Sequence, residues 1–273
     1  MKPQIFPFLL SLLLLAGFTA CNNAGGNQDA QQAAVDTTKQ VAPPVQIALA
    51  PFPASPEFTD AALKSMKYKA GKFTYTVSGS TYKLGDQTPD APQKMCANSD
   101  KGQHIHLIID NEPYIAKYTA DFEQDVADGE HYVLSFLSRS YHESIKTAQT
   151  HIAKKVMVKD KAITKSEDIA GPMLFYSRPK GDYVGQAETG KVMLDFYLVN
   201  TTLAPDGNKV KVLVNNGQEF TLDKWEPVFL EGLPMGDNKI QLTLIDATGK
   251  TVEAPLNPVE RVFTLKAGPA EGQ

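Results

Sequence analysis

The chain of 273 residues contains two cysteines, Cys21 and Cys96, and a single tryptophan, Trp225. If Cys21, which directly follows the apolar amino-terminal stretch, is not free to pair, Cys96 is the one thiol left; no internal disulfide is then expected, and burial must hold the fold together. Basic clusters are missing as well: 27 Lys and Arg are scattered among 31 Asp and Glu, for a formal net charge of −4. Without a basic tract there is no footprint for a nucleic-acid backbone, so no nucleic-acid partner is expected. Catalytic signatures are equally scarce. There is no G-x-S-x-G elbow, phosphate-cradling loop, EF-hand spacing or C-x-x-C pair. His142-Glu143-Ser144-Ile145-Lys146 opens like the zinc-protease H-E-x-x-H, but Lys146 stands where the second histidine is required. Asp121 and Glu123 fall on what reads as a hairpin face, where charge is ordinary. The chain is therefore read as not an enzyme.

What the amino terminus does contain is Met1-Lys2 followed by an apolar stretch from Ile5 to Ala20. A spanning helix needs about 20 apolar residues, so this stretch fits a secretory signal peptide instead. Phe18-Thr19-Ala20-Cys21 resembles the lipobox of bacterial lipoproteins. In that family the matching cysteine, here Cys21, is lipidated and becomes the first residue of the mature chain. Phe18 departs from the usual leucine, and a plain signal peptide cut nearby is the alternative. The resemblance implies export and a membrane partner reached through a lipid anchor. Because Asn22 replaces the retaining aspartate, it also implies an outer-membrane destination. Residues 1–20 are then signal peptide and 21–56 a flexible tether, rich in Asn, Gln, Ala and Pro, with too few apolar residues to offset chain entropy.

Beyond the tether no window of a dozen residues has a helical period. Short runs rich in β-branched and aromatic residues follow one another, bounded by Gly, Pro, Asn or Asp: "KFTYTV", "HIHLIID", "YVLSFLS", "KVMLDFYLV", "KVKVLVNN", "KIQLTLID" and "RVFTLK". "GQHIHLIIDNEPY" with "VADGEHYVLSFLS" parallels "GNKVKVLVNNGQEF" with "LPMGDNKIQLTLID". A repeat of about 100 residues is the size of one antiparallel sandwich. The expectation is all-β, with two tandem sandwiches at 57–163 and 169–268. In passages such as "SRPKGDYVG" then "KVMLDFYLVN", each unit resembles bacterial immunoglobulin-like domains, which implies a spacer or binding module. The stretches "MCANSDKGQHIHLIIDNEPY", "LSFLSRSYHESIK" and "MLFYSRPKG" also resemble poorly characterised envelope lipoproteins of Bacteroidota, some of which carry a phosphopeptide-binding label. That label implies an anion or phosphopeptide site, for which Arg139, Arg178 and Arg261 are too scattered in sequence to speak.

All five histidines lie between His104 and His151, in the first unit. Where the first unit has His104-Ile105-His106, the second has Lys209-Val210-Lys211, so the fold itself does not demand histidine. Strand parity places His104 and His106 on the face opposite Ile105 and Leu107, facing outward. The pair is then either the polar face of a strand or half of a metal site. In the second case copper or zinc would be held with help from His142, which follows a strand that could lie alongside, and from Cys96 in an insertion absent from the second unit. The aromatics offer a further class. Tyr114, Tyr141 and Arg139 form a candidate ligand-binding set for a protein, peptide or glycan, because exposed aromatics beside polar groups add contact area at little entropy cost. The reading as a whole is a non-catalytic, lipid-anchored envelope module for binding or spacing, with metal capture and anion binding as alternatives.

Overall fold

A computed structural model describes residues 46–269. Cys21, the signal peptide and most of the segment read as tether lie outside them. The described residues are all-β, with four sheets. The last part of the expected tether is a correction: Ala48–Pro51 form a strand, β1. Ile47 reaches the second core and the Phe52 ring packs at a tilt against Phe229, so these few apolar residues find cover that the composition of the segment conceals.

The first sandwich pairs β2 (Ala62–Lys69), β3 (Lys72–Ser78) and β6 (Asp121–Glu123) with a five-stranded sheet. That sheet runs β5-β4-β7-β8-β9, where β4 is His104–Ile109, β5 Ile115–Lys117, β7 Gly129–Ser138, β8 His151–Lys159 and β9 Ala162–Asp168. Phe73, Tyr75, Ile105, Leu107 and Leu137 fill the space between the two sheets. In the second sandwich β1 joins β10 (Met173–Arg178), β12 (Val192–Val199) and β15 (Val228–Glu231), in the order β1-β15-β12-β10. The facing sheet is β11-β17-β16-β13-β14, built from β11 (Gly181–Val184), β13 (Lys209–Val214), β14 (Gln218–Leu222), β16 (Gly236–Ile245) and β17 (Val259–Lys266). Leu174, Phe196, Val212 and Leu242 are among its core residues.

The repeat in the sequence reappears as strand order, since β5-β4-β7-β8 corresponds to β14-β13-β16-β17. At the β13–β14 hairpin Asn215 and Asn216 both take positive φ (52° and 56°), the requirement of a type I′ turn. What differs between the repeats is the neighbour. The outer face of the first five-stranded sheet is covered by β10 and β12, and Ile108, Tyr114, Phe136, Met173, Phe175 and Tyr197 form a third apolar cluster there. β4, β10 and β12 are consequently buried on both faces, unlike β13, where burial alternates.

Polar contacts fasten the two sandwiches. The Asn111 side chain takes the place of a strand neighbour for β10, donating to Leu174 O and accepting from Tyr176 N at 2.8 Å each. Asp195 on β12 is fully buried, accepts from Ser144 N at 2.9 Å and lies 2.5 Å from Lys146 Nζ. Removing one partner of a buried pair leaves the other uncompensated, so Asp195→Ala is expected to cost about 3 kcal/mol in urea unfolding. Among the described residues no helix is long and apolar enough to cross a membrane, a statement that does not bear on β-barrels.

Candidate metal centre

His104 and His106 start β4, and both are 0% exposed. The expectation that they face water is therefore corrected. Parity does turn them away from Ile105 and Leu107, but the face they occupy is covered by β10 and by the loops beside it. Lys209 and Lys211 hold the same places in the second repeat and are only half-buried.

The third histidine arrives through a tight loop. After β7 the chain turns back at once: Ser138 bridges Ser144, and Arg139 N donates to Glu143 O at 2.9 Å. His142 sits at the tip with φ of 70°, a left-handed conformation for which histidine is several-fold enriched. The insertion ahead of β4 braces this loop. Thr88 and Ser140 exchange hydrogen bonds, Thr88 N to Ser140 Oγ at 3.1 Å and Ser140 N to Thr88 Oγ1 at 2.9 Å. Ser99 N donates to Ser140 O, and Tyr141 Oη donates to Asp90. The apparent H-E-x-x-H start is thus a loop and not a helix.

The result is a convergence of ring nitrogens. His104 Nε2 lies 2.8 Å from His106 Nε2 and 3.0 Å from His142 Nδ1, and the three ligand atoms all fall within 4.8 Å of one another. Among the described residues no Asp, Glu or Cys atom belongs to this group. His104 Nδ1 is 2.8 Å from Gly102 O, an acceptor only, so Nδ1 carries the proton and Nε2 presents its lone pair. That carbonyl is the kind of outer partner that fixes tautomer and ring orientation in metal-ligating histidines. The lone pair of His104 Nε2 can accept one good hydrogen bond, yet two ring nitrogens lie within reach of it. A cation at the centre would satisfy all three rings.

Aromatic walls enclose the group. Tyr114 stacks on His106 at 3.6 Å between centroids and 7° between planes, while Tyr118 and Phe136 approach His104 and His106 at 4.9 Å. Burial holds the His104 pKa down at about 4, with nearby Arg178 and Lys180 adding to the effect against the Gly102 bond. His106 and His142 are also held well below the ordinary histidine range, chiefly by burial. All three rings are neutral at pH 7, the form that ligates metal. A histidine whose folded pKa is depressed contributes stability above the unfolded value of about 6.5, and that stability is lost as the pH falls. Metal-free protein is accordingly expected to lose stability between pH 6.5 and about pH 4, seen as a falling urea midpoint, with His142→Ala flattening the slope.

The remaining candidates separate clearly. Cys96 is half-buried with its thiol pushed up to about 11, first by burial, and it stays outside the converging group. Tyr114 does belong to the site, where its hydroxyl lies 3.2 Å from His142 Nδ1 and accepts from Arg178 Nη1 at 3.2 Å. Tyr141 and Arg139 are buried and serve the loop: Tyr141 reaches Asp90, and Arg139 donates to Pro56 O and lies 3.5 Å from Glu143. An exposed ligand-binding set of Tyr114, Tyr141 and Arg139 is not formed, because all three are covered. His131 pairs with Asp110, and the His151 ring packs on Tyr197. Folding does gather cations that are distant in sequence. Arg178 donates to Tyr183 and Tyr114, and Arg261 donates to the carbonyls of Tyr176 and Asn111. Their guanidinium forks are thus occupied by protein acceptors.

Gly102, Lys180 and Ser177, whose hydroxyl lies 3.4 Å from His106 Nδ1, are not foreseen from the sequence, and Arg178 is foreseen only as one of three scattered arginines. The double-sided apolar runs of β10 and β12 were the available signal that something covers this face.

No family model matches the chain, and no curated protein matches it. Among solved structures it is similar to a fibronectin(III)-like module of Clostridium thermocellum CbhA, at 13% identity and a TM-score of 0.28 over 36% of this chain and 100% of that one. It is also similar to a two-domain fibronectin type-III segment of chicken tenascin, at 10% identity and a TM-score of 0.22 over 74% of this chain and 99% of that one. A third is the Bacteroides ovatus mixed-linkage glucan utilization locus protein SGBP-B, in complex with a mixed-linkage heptasaccharide. It is 8% identical with a TM-score of 0.19, over 81% of this chain and 71% of that one. At such scores the fold assignment rests on the sheets of this chain, and no function is drawn from the neighbours.

Proposed function

We propose that the protein is a non-catalytic binding module of the cell envelope whose ligand is one late transition-metal ion, held by His104, His106 and His142. The observation that carries this reading is the meeting of three neutral imidazole nitrogens within 4.8 Å at a buried point. Imidazole is a donor for zinc and copper and a poor one for magnesium or calcium. Two of the three rings have no solvent exposure, and aromatic side chains wall the group. This enclosure suits retention of an ion, since catalytic sites keep an open position for water or substrate. The reading includes a lipid anchor at Cys21 and an outer-membrane location, both supported by the leader sequence. Under it the second sandwich serves as a cover for the site as well as a spacer.

The test is direct. Protein stripped with chelator and reloaded with copper or zinc should take up about one equivalent in calorimetry and elemental analysis. His142→Ala, which removes a half-buried loop residue, should weaken uptake by at least about 10-fold with little change in the fold. Uptake unchanged by that substitution would contradict the assignment. For the anchor, Cys21→Ser should release the protein from membranes in fractionation; continued membrane association would count against it.

A further inference from the structure

We propose that the histidine centre is built for monovalent copper and discriminates against divalent ions, through an uncompensated positive corner formed by Arg178 and Lys180. The proposal rests on the metal-binding reading above and names the ion that the same site selects. Three features of the site converge on it.

The first is the donor set. All three ligands are uncharged, and no carboxylate or thiolate joins them among the described residues. The full charge of the ion is therefore brought into a buried, aromatic-walled space. The cost of burying an ion rises with the square of its charge, so a divalent ion is penalised about four times as heavily as a monovalent one.

The second is the neighbouring charge. Arg178 is buried, and its Nη1 donates to the Tyr114 hydroxyl at 3.2 Å; the same hydroxyl lies 3.2 Å from His142 Nδ1. One phenol thus separates a guanidinium from a ligand atom. On the far side of the same ring, Lys180 Nζ stands 4.2 Å from the centroid of Tyr114, whose plane stacks on His106. The Arg178 forks end on the hydroxyls of Tyr183 and Tyr114, and no carboxylate salt bridge to either cation is present among the described residues. Repulsion from a fixed charge is proportional to the charge of the ion, so this corner doubles its penalty for Zn²⁺ or Cu²⁺ relative to Cu⁺.

The third is coordination number. A structural zinc site is four-coordinate and tetrahedral. The fold offers three nitrogens, and Tyr114, the nearest hydroxyl, already accepts from Arg178. Three donors are sufficient for Cu⁺, which forms stable two- and three-coordinate complexes.

The experiment is a competition titration of the full chain with Cu⁺ under anaerobic conditions and, separately, with Zn²⁺, each against a chromophoric chelator of known affinity. Wild-type protein should bind Cu⁺ more tightly than Zn²⁺. Arg178→Gln should strengthen Zn²⁺ binding about 100-fold and Cu⁺ binding only about 10-fold, the square-root relation that ionic charge imposes. Arg178→Lys should restore wild-type behaviour. Lys180→Gln, at a partly exposed position, provides the same test with a smaller shift of the same 2:1 ratio on a logarithmic scale should Arg178→Gln fail to fold. Equal shifts for the two ions, or tighter Zn²⁺ than Cu⁺ in wild type, would overturn the selectivity proposal and leave the metal site standing. Uptake of neither ion would overturn the metal reading itself.

Discussion

Replacing His104 and His106 together by alanine is expected to abolish metal uptake, with a loss of affinity exceeding about 1,000-fold. A three-nitrogen centre reduced to one ligand has no chelate left, and a lone imidazole competes poorly with water. The effect is separable from unfolding. The two rings lie on the face of β4 that meets the second sandwich, while Ile105 and Leu107 hold the strand to its own core. Circular dichroism of the double variant should keep its β signature, and the core aromatics Phe73 and Tyr75 should stay protected. Loss of the ordinary near-ultraviolet signal would instead show that the rings chiefly plug the interface. Full retention of metal binding in a folded double variant would rule out the centre.

The second large effect is expected at Gly102, two residues before the first ligand. Gly102 has φ of +81°, and a Cβ added there would stand 2.3 Å from Gly85 O and 2.5 Å from Asp86 O. Both are backbone atoms. They belong to a segment that is itself tied to this strand by Gln103 N donating to Asp86 O and Gly85 N donating to Gln103 O. Alanine therefore forces the loop and β4 apart in addition to the ordinary cost of a left-handed alanine. Gly102→Ala should lose about 2–4 kcal/mol of stability in urea unfolding. It should also weaken metal binding at least about 10-fold, because the displaced Gly102 carbonyl is the group that orients His104. Gly249→Ala makes the control: its φ is +85°, but nothing lies within 4 Å of the added carbon. It should cost only about 1 kcal/mol and leave metal binding untouched. Equal penalties at the two glycines would show that the approach of the 85–86 segment to β4 is not structurally important.

The all-β character was legible because alternation survives in most strands. Burial alternates residue by residue along β13 and β17, and the sequence follows it apart from Leu213 and from the buried Arg261 beside the exposed Val262. The parallel between the repeats carried further than expected, giving matching strand order in the two five-stranded sheets. The histidines are buried, against the exposure that strand parity suggests, for a definite reason. Alternation reports which residues face the strand's own partner sheet, and says nothing about what covers the other face. The covering strands announced themselves only indirectly, in "MLFYSR" and "VMLDFYLV", where apolar residues occupy both faces. The site was half legible on the same terms. His104, His106 and His142 were brought together through strand neighbours, since β7 pairs with β4 and its following loop must return over that edge. Cys96 was not, because the insertion that carries it braces the loop at Ser140 and leaves the thiol to one side. Lys180 carries no sequence signature and Arg178 reads only as one of three scattered arginines; the stacking of the sandwiches places both beside the rings.

X-ray absorption at the edge of the bound metal reads the ligands of the ion themselves. An ion held by His104, His106 and His142 gives a first shell of three imidazole nitrogens at about 2.0 Å, with the multiple-scattering features of histidine and no sulfur. A sulfur shell near 2.3 Å, from Cys96 or Met95, or an oxygen-rich shell of higher coordination number, would place the ion elsewhere and contradict the histidine centre.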